Sequence, residues 1–155
     1  MNVHSTQCYA VIMRIRSLNH SIYQVSYHIV WGTKYRRKIL KPYVQKELVK
    51  SFYKTLRTHP TWFLLQINTD SDHVHMRIEF PPTVDISTVV RELKSRSSTH
   101  LRLKFKFIDR LYKTSGMWSV GYFVSTIGLN ENQIKNYITK QSKYDVGHDV
   151  TNEFS

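Results

Sequence analysis

One cysteine, Cys8, is all this chain holds, which excludes an intrachain disulfide and a zinc finger and suits a reducing compartment. Acid is scarce too. There are 11 Asp and Glu against 23 Lys and Arg, a formal charge of +12 with a sequence pI near 9.9, and a field of that sign favours polyanions. Long hydrophobic runs are missing: the apolar stretch from Cys8 to Ile15 is interrupted by Arg14 and Arg16, is too short to span a bilayer, and has no convincing cleavage site after it. No lysine-rich amphipathic helix of the kind that lies on membranes stands out, so nucleic acid is the favoured polyanion. Internal repeats and low-complexity linkers are also absent. At 155 residues the chain is expected to form one domain with a real core. Residues 1–20 read as an N-terminal extension, 21–142 as the domain, and 143–155 as a polar, frayed tail.

Periodicity orders the elements. Tyr23, Val25, Tyr27, Ile29 and Trp31 alternate with Gln24, Ser26 and His28, which predicts a half-buried strand ended by Gly32. The basic loop Lys34, Tyr35, Arg36, Arg37, Lys38 follows. Pro42 suits a first helical turn, and Val44, Leu48, Val49, Phe52 and Leu56 recur at helical spacing to about Thr58. Trp62 to Asn68 and His73 to Phe80 predict a hairpin across a short polar turn. Asp85 or Thr83 caps a second helix carrying Ile86, Val89, Val90, Leu93 and Ser97 on one face to about Leu103. Residues 104–118 read as loop or short helical pieces. Val120 to Ile127 is a fourth strand, and Asn130 caps a last helix with Ile134, Tyr137, Ile138 and Gln141. The fold class is therefore α+β, a ferredoxin-like (split βαβ) antiparallel sheet with helices on one face and an added C-terminal helix bearing Tyr137.

The chemistry starts at His73-Val-His75. Successive strand side chains alternate faces, so the two imidazoles point the same way, roughly 6–7 Å apart along the chain. Two neutral imidazoles in that posture can grip one divalent metal from one side. Tyr137 and Gln141, four apart on a helix, project together. A phenol near a metal that polarises a phosphate outlines phosphoryl transfer. Gln141 supplies an amide oxygen as third ligand, and a set of imidazole and amide oxygen accepts Mg²⁺ or Mn²⁺, with Mn²⁺ suited rather better. Asp72 and Asp70, just before the histidines, are candidates for outer carboxylates that hold an imidazole tautomer. Lys34, Tyr35, Arg36, Arg37 and Lys38 combine charge with a stacking ring. Lys94 and Arg96, with Arg91 and Arg102, form a second basic strip. Each feature also has a plainer reading: a surface or core histidine pair, a tyrosine ring packed in the core, a solvated charged face.

Together these residues resemble a known family. His73-Val-His75 looks like the His-hydrophobic-His motif, and Tyr137 with Gln141 looks like a single catalytic tyrosine with its ligand glutamine, as in the single-tyrosine transposases of the insertion-sequence 200/605 group. Tyr27-His28-Ile29-Val30-Trp31, Lys94-Ser95-Arg96-Ser97-Ser98 and the stretch from Trp118 to Thr126 match as well, so the resemblance covers about residues 20 to 142. Glutamine rather than histidine at 141 argues against the related repeat-associated tyrosine transposases. The resemblance implies a homodimer that cleaves and rejoins single-stranded DNA at insertion-sequence ends through a 5′-phosphotyrosine on Tyr137. It also implies recognition of subterminal DNA hairpins, no membrane, and a prokaryotic cytoplasm at the nucleoid. Three other readings stand beside it: a relaxase-type nuclease, a hydrolase using the histidine pair alone, and a non-catalytic single-stranded nucleic-acid-binding module on a ferredoxin-like sheet. The last would use Tyr23, Tyr27 and Phe123 as stacking platforms.

Overall fold

The computed structural model describes residues 16–18, 21–23 and 25–127. Two short strands, β1 (Arg16–Leu18) and β2 (Ser21–Tyr23), pair antiparallel. The predicted single strand from Tyr23 to Trp31 is thus divided, and β3 begins at Ser26 and ends at Gly32. Then come α1 (Pro42–Arg57), β4 (Phe63–Thr69), β5 (His73–Glu79), α2 (Ile86–Lys104), the short α3 (Lys106–Leu111) and β6 (Phe123–Ile127). The main sheet runs β4-β5-β3-β6, and every neighbouring pair is antiparallel. The first and third of these strands in chain order occupy the centre, so each helical connection crosses to a strand beyond its neighbour. That is the ferredoxin-like split βαβ arrangement, α+β as expected.

Alternation decides which face is covered. Ile29 and Trp31 of β3 and Val74, Met76 and Ile78 of β5 share one cluster with Val44, Leu48 and Phe52 of α1 and Val89, Val90, Leu93 and Leu101 of α2. Both long helices therefore sit on that face. Pro42 occupies the first turn of α1, where its missing N–H costs nothing. Thr58 ends the helix, its N–H returning to Thr55 and Leu56 and its hydroxyl donating to the Thr55 carbonyl at 2.7 Å. Asp85 takes the cap position of α2 by its extended backbone, but its side chain makes no capping bond. On the edge strand β4 the register slips between Leu64 and Gln66, a bulge of the sort that blunts an exposed edge.

The segment 104–118, expected as loop or short helical pieces, holds α3 and then returns along the end of β3. Thr33 bridges Trp118, Lys34 N–H donates to Met117 O at 2.7 Å, and Ser119 N–H donates to Gly32 O at 3.0 Å. The fourth strand starts at Phe123 rather than Val120, because residues 120–122 are exposed and make no ladder. The helix expected after Asn130, with Tyr137 and Gln141, and the tail 143–155 lie outside the described residues. Among the described residues no helix is long and apolar enough to cross a membrane.

Candidate metal centre and nucleic-acid interface

The strand face away from α1 and α2 carries the histidines. In register, His75 pairs Val30, Gly32 pairs His73 and His28 pairs Arg77, so His28, His73 and His75 share this face. The His73 and His75 ring centres are 4.6 Å apart, and His28 lies 5.9 Å from His75. His28 and His75 are buried although they lie off the helical face. Burial, then the Arg77 guanidinium, pushes His28 down to about 4. Burial, then the neighbouring His73 and His28, pushes His75 down to about 4 as well, with Asp70 opposing. Both rings are neutral at pH 7, the state a metal requires.

Carboxylates flank His73 on both sides. Its Nδ1–H donates to Asp72 Oδ1 at 2.6 Å, and its Nε2 lies 3.9 Å from Asp70 Oδ2. Asp70 also accepts the Ser71 N–H, which with other contacts holds its carboxyl below the usual range. Engaging Nδ1 with Asp72 leaves the Nε2 lone pair of His73 for a cation. The Nδ1 of His75 is buried with no hydrogen-bond partner among the described residues. Two imidazoles on one strand face, one already oriented by a carboxylate, fit a divalent metal. Among the described residues no set of three histidine, cysteine or carboxylate ligands forms. For such a metal a further ligand would have to come from elsewhere; Gln141, the expected one, lies outside the described residues, as does Tyr137.

The basic loop docks at the histidine end of β5. Thr33 N–H donates to Asp72 O at 2.8 Å, and Arg36 Nε lies 3.6 Å from Asp72 Oδ2. Tyr35 is 71% exposed, with Lys34 Nζ 5.6 Å and the Arg37 guanidinium 5.1 Å from its ring centre, a charged and aromatic platform open to solvent. Arg37 also donates to Leu111 O at 2.9 Å, and Lys38 is exposed. Lys94 and Arg96 lie on α2, across the sheet from the histidines. Lys94 spends its ammonium donors on Ser119 O and Gly121 O, both at 2.8 Å, and Arg96 pairs Glu92 at 3.2 Å.

The family model described as "Transposase IS200 like" matches residues 21–141. This chain belongs to the IS200-like transposase family. It is 34% identical over 131 residues to the transposase for insertion sequence element IS200 of Salmonella typhimurium, spanning 84% of this chain and 85% of that one. It is 26% identical over 121 residues to the ISDra2 transposase TnpA of Deinococcus radiodurans, spanning 77% and 86%. Among solved structures, a candidate transposase of Deinococcus radiodurans R1 superposes with a TM-score of 0.69 at 24% identity, covering 81% of this chain and 97% of that one. A REP-associated tyrosine transposase bound to a REP hairpin superposes at 0.55 with 15% identity, covering 84% and 75%. These two likenesses carry the fold.

In this IS200-like transposase the structure also separates two of the residues expected as stacking platforms. Tyr27 faces the helices, stacked on Phe80 with ring centres 4.4 Å apart, whereas Phe123 pairs Val30 on the opposite face. They cannot form one stacking platform for bases. Sequence reading missed the contact of Thr33 and Arg36 with Asp72, because it joins segments far apart in the chain. The only signal for it was the nearness of the basic loop to the end of its strand.

Proposed function

We propose that this transposase cleaves and rejoins single-stranded DNA at insertion-sequence ends, with Tyr137 as nucleophile and His73, His75 and Gln141 as ligands for Mg²⁺ or Mn²⁺. The observation that carries the reading is the pair of histidines on one strand face, His73 oriented by Asp72, with a basic, aromatic loop docked on the same strand end. The Tyr137 phenol oxygen attacks a DNA phosphorus and the bond to the 3′ oxygen breaks. The phenol proton leaves, a 5′-phosphotyrosine forms and a 3′-OH is released. Attack by the 3′-OH of another end reverses the step, so the bond's free energy is retained without ATP. A bound divalent cation supplies charge neutralisation at a non-bridging phosphate oxygen. Asp72 holds the imidazole of His73, and Lys34, Arg37 and Lys38 attract the phosphate backbone while Tyr35 offers a ring to an unpaired base. DNA with subterminal hairpins is the proposed substrate, and a second copy of the chain is the proposed partner, since two strand ends must be handled together.

The test incubates the full chain with a labelled single-stranded transposon end and Mn²⁺. A covalent protein–DNA adduct is expected from the wild type and none from Tyr137→Phe. A Tyr137→Phe protein that still forms the adduct removes Tyr137 from this role. Undiminished cleavage by a His73→Ala, His75→Ala protein removes the metal site. A protein that binds the strand without cutting it, with or without metal, favours the non-catalytic module.

A further inference from the structure

Two consecutive bulky residues, Tyr35 and Arg36, hold φ angles of 61° and 51°. That left-handed region is costly for residues with a side chain, and it persists only where the surroundings enforce it. Here they do. Thr33 N–H donates to Asp72 O at 2.8 Å, the Thr33 hydroxyl donates to Arg37 O at 2.7 Å, and Leu40 N–H donates to Ser71 O at 2.9 Å. The turn is thus clamped at both ends, once to itself and twice to the segment leading into β5.

What the strained turn achieves is the position of one side chain. Arg36 reaches back so that its Nε stands 3.6 Å from Asp72 Oδ2, while Asp72 Oδ1 accepts the His73 Nδ1–H at 2.6 Å. Gly32 clears the way: a Cβ there would stand 3.0 Å from Arg36 Nη1 and 3.3 Å from Asp72 O. A guanidinium, a carboxylate and an imidazole therefore form one line. Asp70 gives that line a purpose, because its Oδ2 lies 3.9 Å from the other nitrogen of His73. If Asp72 swings away, the ring proton can move to Nε2 and face Asp70, which closes the nitrogen a metal would use.

We propose that Arg36 is a positioning residue for His73, acting through Asp72, and that the left-handed turn at Tyr35–Arg36 serves to hold it there rather than to present it to DNA phosphate. The proposal rests on His73 being a metal ligand.

Two readouts on the full chain test it: the His73 tautomer by nitrogen NMR in metal-free buffer, and Mn²⁺ affinity by titration. The wild type is expected to carry the proton on Nδ1. Arg36→Gln should mix the tautomers and weaken Mn²⁺ binding by about 3–10-fold, and Arg36→Lys should restore part of it. Asp72→Asn, which leaves the turn's own bonds intact, should weaken binding by about 10–100-fold. Affinity for single-stranded DNA in EDTA, and its salt slope, should be the same in Arg36→Gln as in the wild type. The proposal is overturned if Arg36→Gln keeps the wild-type tautomer and Mn²⁺ affinity while its DNA salt slope falls by about 0.7, the mark of one lost phosphate contact. Unchanged tautomer and affinity in Asp72→Asn overturn it equally. Wild-type His73 and His75 signals that ignore Mn²⁺ would sink the metal reading itself. A wild-type response that survives unchanged in Arg36→Gln sinks the proposal alone.

Discussion

The indole N–H of Trp118 donates to the hydroxyl of Ser97 at 3.0 Å, and both residues are buried. This explains a serine in the apolar stripe of α2, where Val89, Val90, Leu93 and Leu101 are otherwise core. It also ties the returning segment 116–119, which pairs with the end of β3, onto the helix. Ser97→Ala leaves a buried donor unsatisfied and should cost about 1–3 kcal/mol in urea unfolding. In a Trp118→Phe background the same change should cost clearly less, since no donor remains to be orphaned. Equal costs in both backgrounds would show that the bond contributes nothing.

Gly32→Ala should destabilise the chain by about 1–3 kcal/mol, because the new methyl group meets both the Arg36 side chain and the Asp72 carbonyl oxygen. The arginine tip can yield. The carbonyl cannot, since it accepts the Thr33 N–H at 2.8 Å. Mn²⁺ affinity should fall together with the melting temperature. A variant that keeps both at wild-type values would mean the loop can shift without disturbing β5.

Lys94 sets a pH dependence on the alkaline side. Burial lowers its ammonium from 10.5 to about 8. Between those values the unfolded chain binds more protons than the folded one, so the contribution of Lys94 to stability rises with pH across pH 8 to 10.5. Below about 8 the desolvation penalty is present in full. The wild type should therefore gain on Lys94→Met as pH is raised from 7 to about 9.5 in denaturant titrations. A stability difference that ignores pH would mean the ammonium is well solvated.

DNA contact should divide the basic residues by face. Lys38 is exposed on the loop beside the histidines, so Lys38→Ala should weaken binding of a single-stranded oligonucleotide and lower its salt slope by about 0.7. Arg96 already pairs Glu92 and the Thr58 hydroxyl across the sheet from the histidines, so Arg96→Ala should leave that slope unchanged. The reverse pattern would move the DNA path to α2.

Much of this was legible in the residues themselves. The alternation of Tyr27, Ile29 and Trp31 and the helical spacing of Val44, Leu48 and Phe52 located strand, helix and core, because period alone dictates which side chains share a face. The parity of His73 and His75 follows from the same rule. The 120–122 stretch misled, since its residues are apolar and aromatic yet lie outside any ladder. Asp85 stood where a cap was expected, but whether its side chain would bond could not be read from spacing.

Residue order by itself determined the type and buried face of β3, β5, α1 and α2, the positive charge and the pairing of two imidazoles on one strand. Only the tertiary structure decided that His28 comes within 5.9 Å of His75, that Tyr27 and Phe123 part to opposite faces, and that Arg36 reaches Asp72. The physical reason is range. Periodicity acts over a few neighbouring residues, whereas strand register and loop docking join segments tens of residues apart through hydrogen bonds that leave no trace in local spacing.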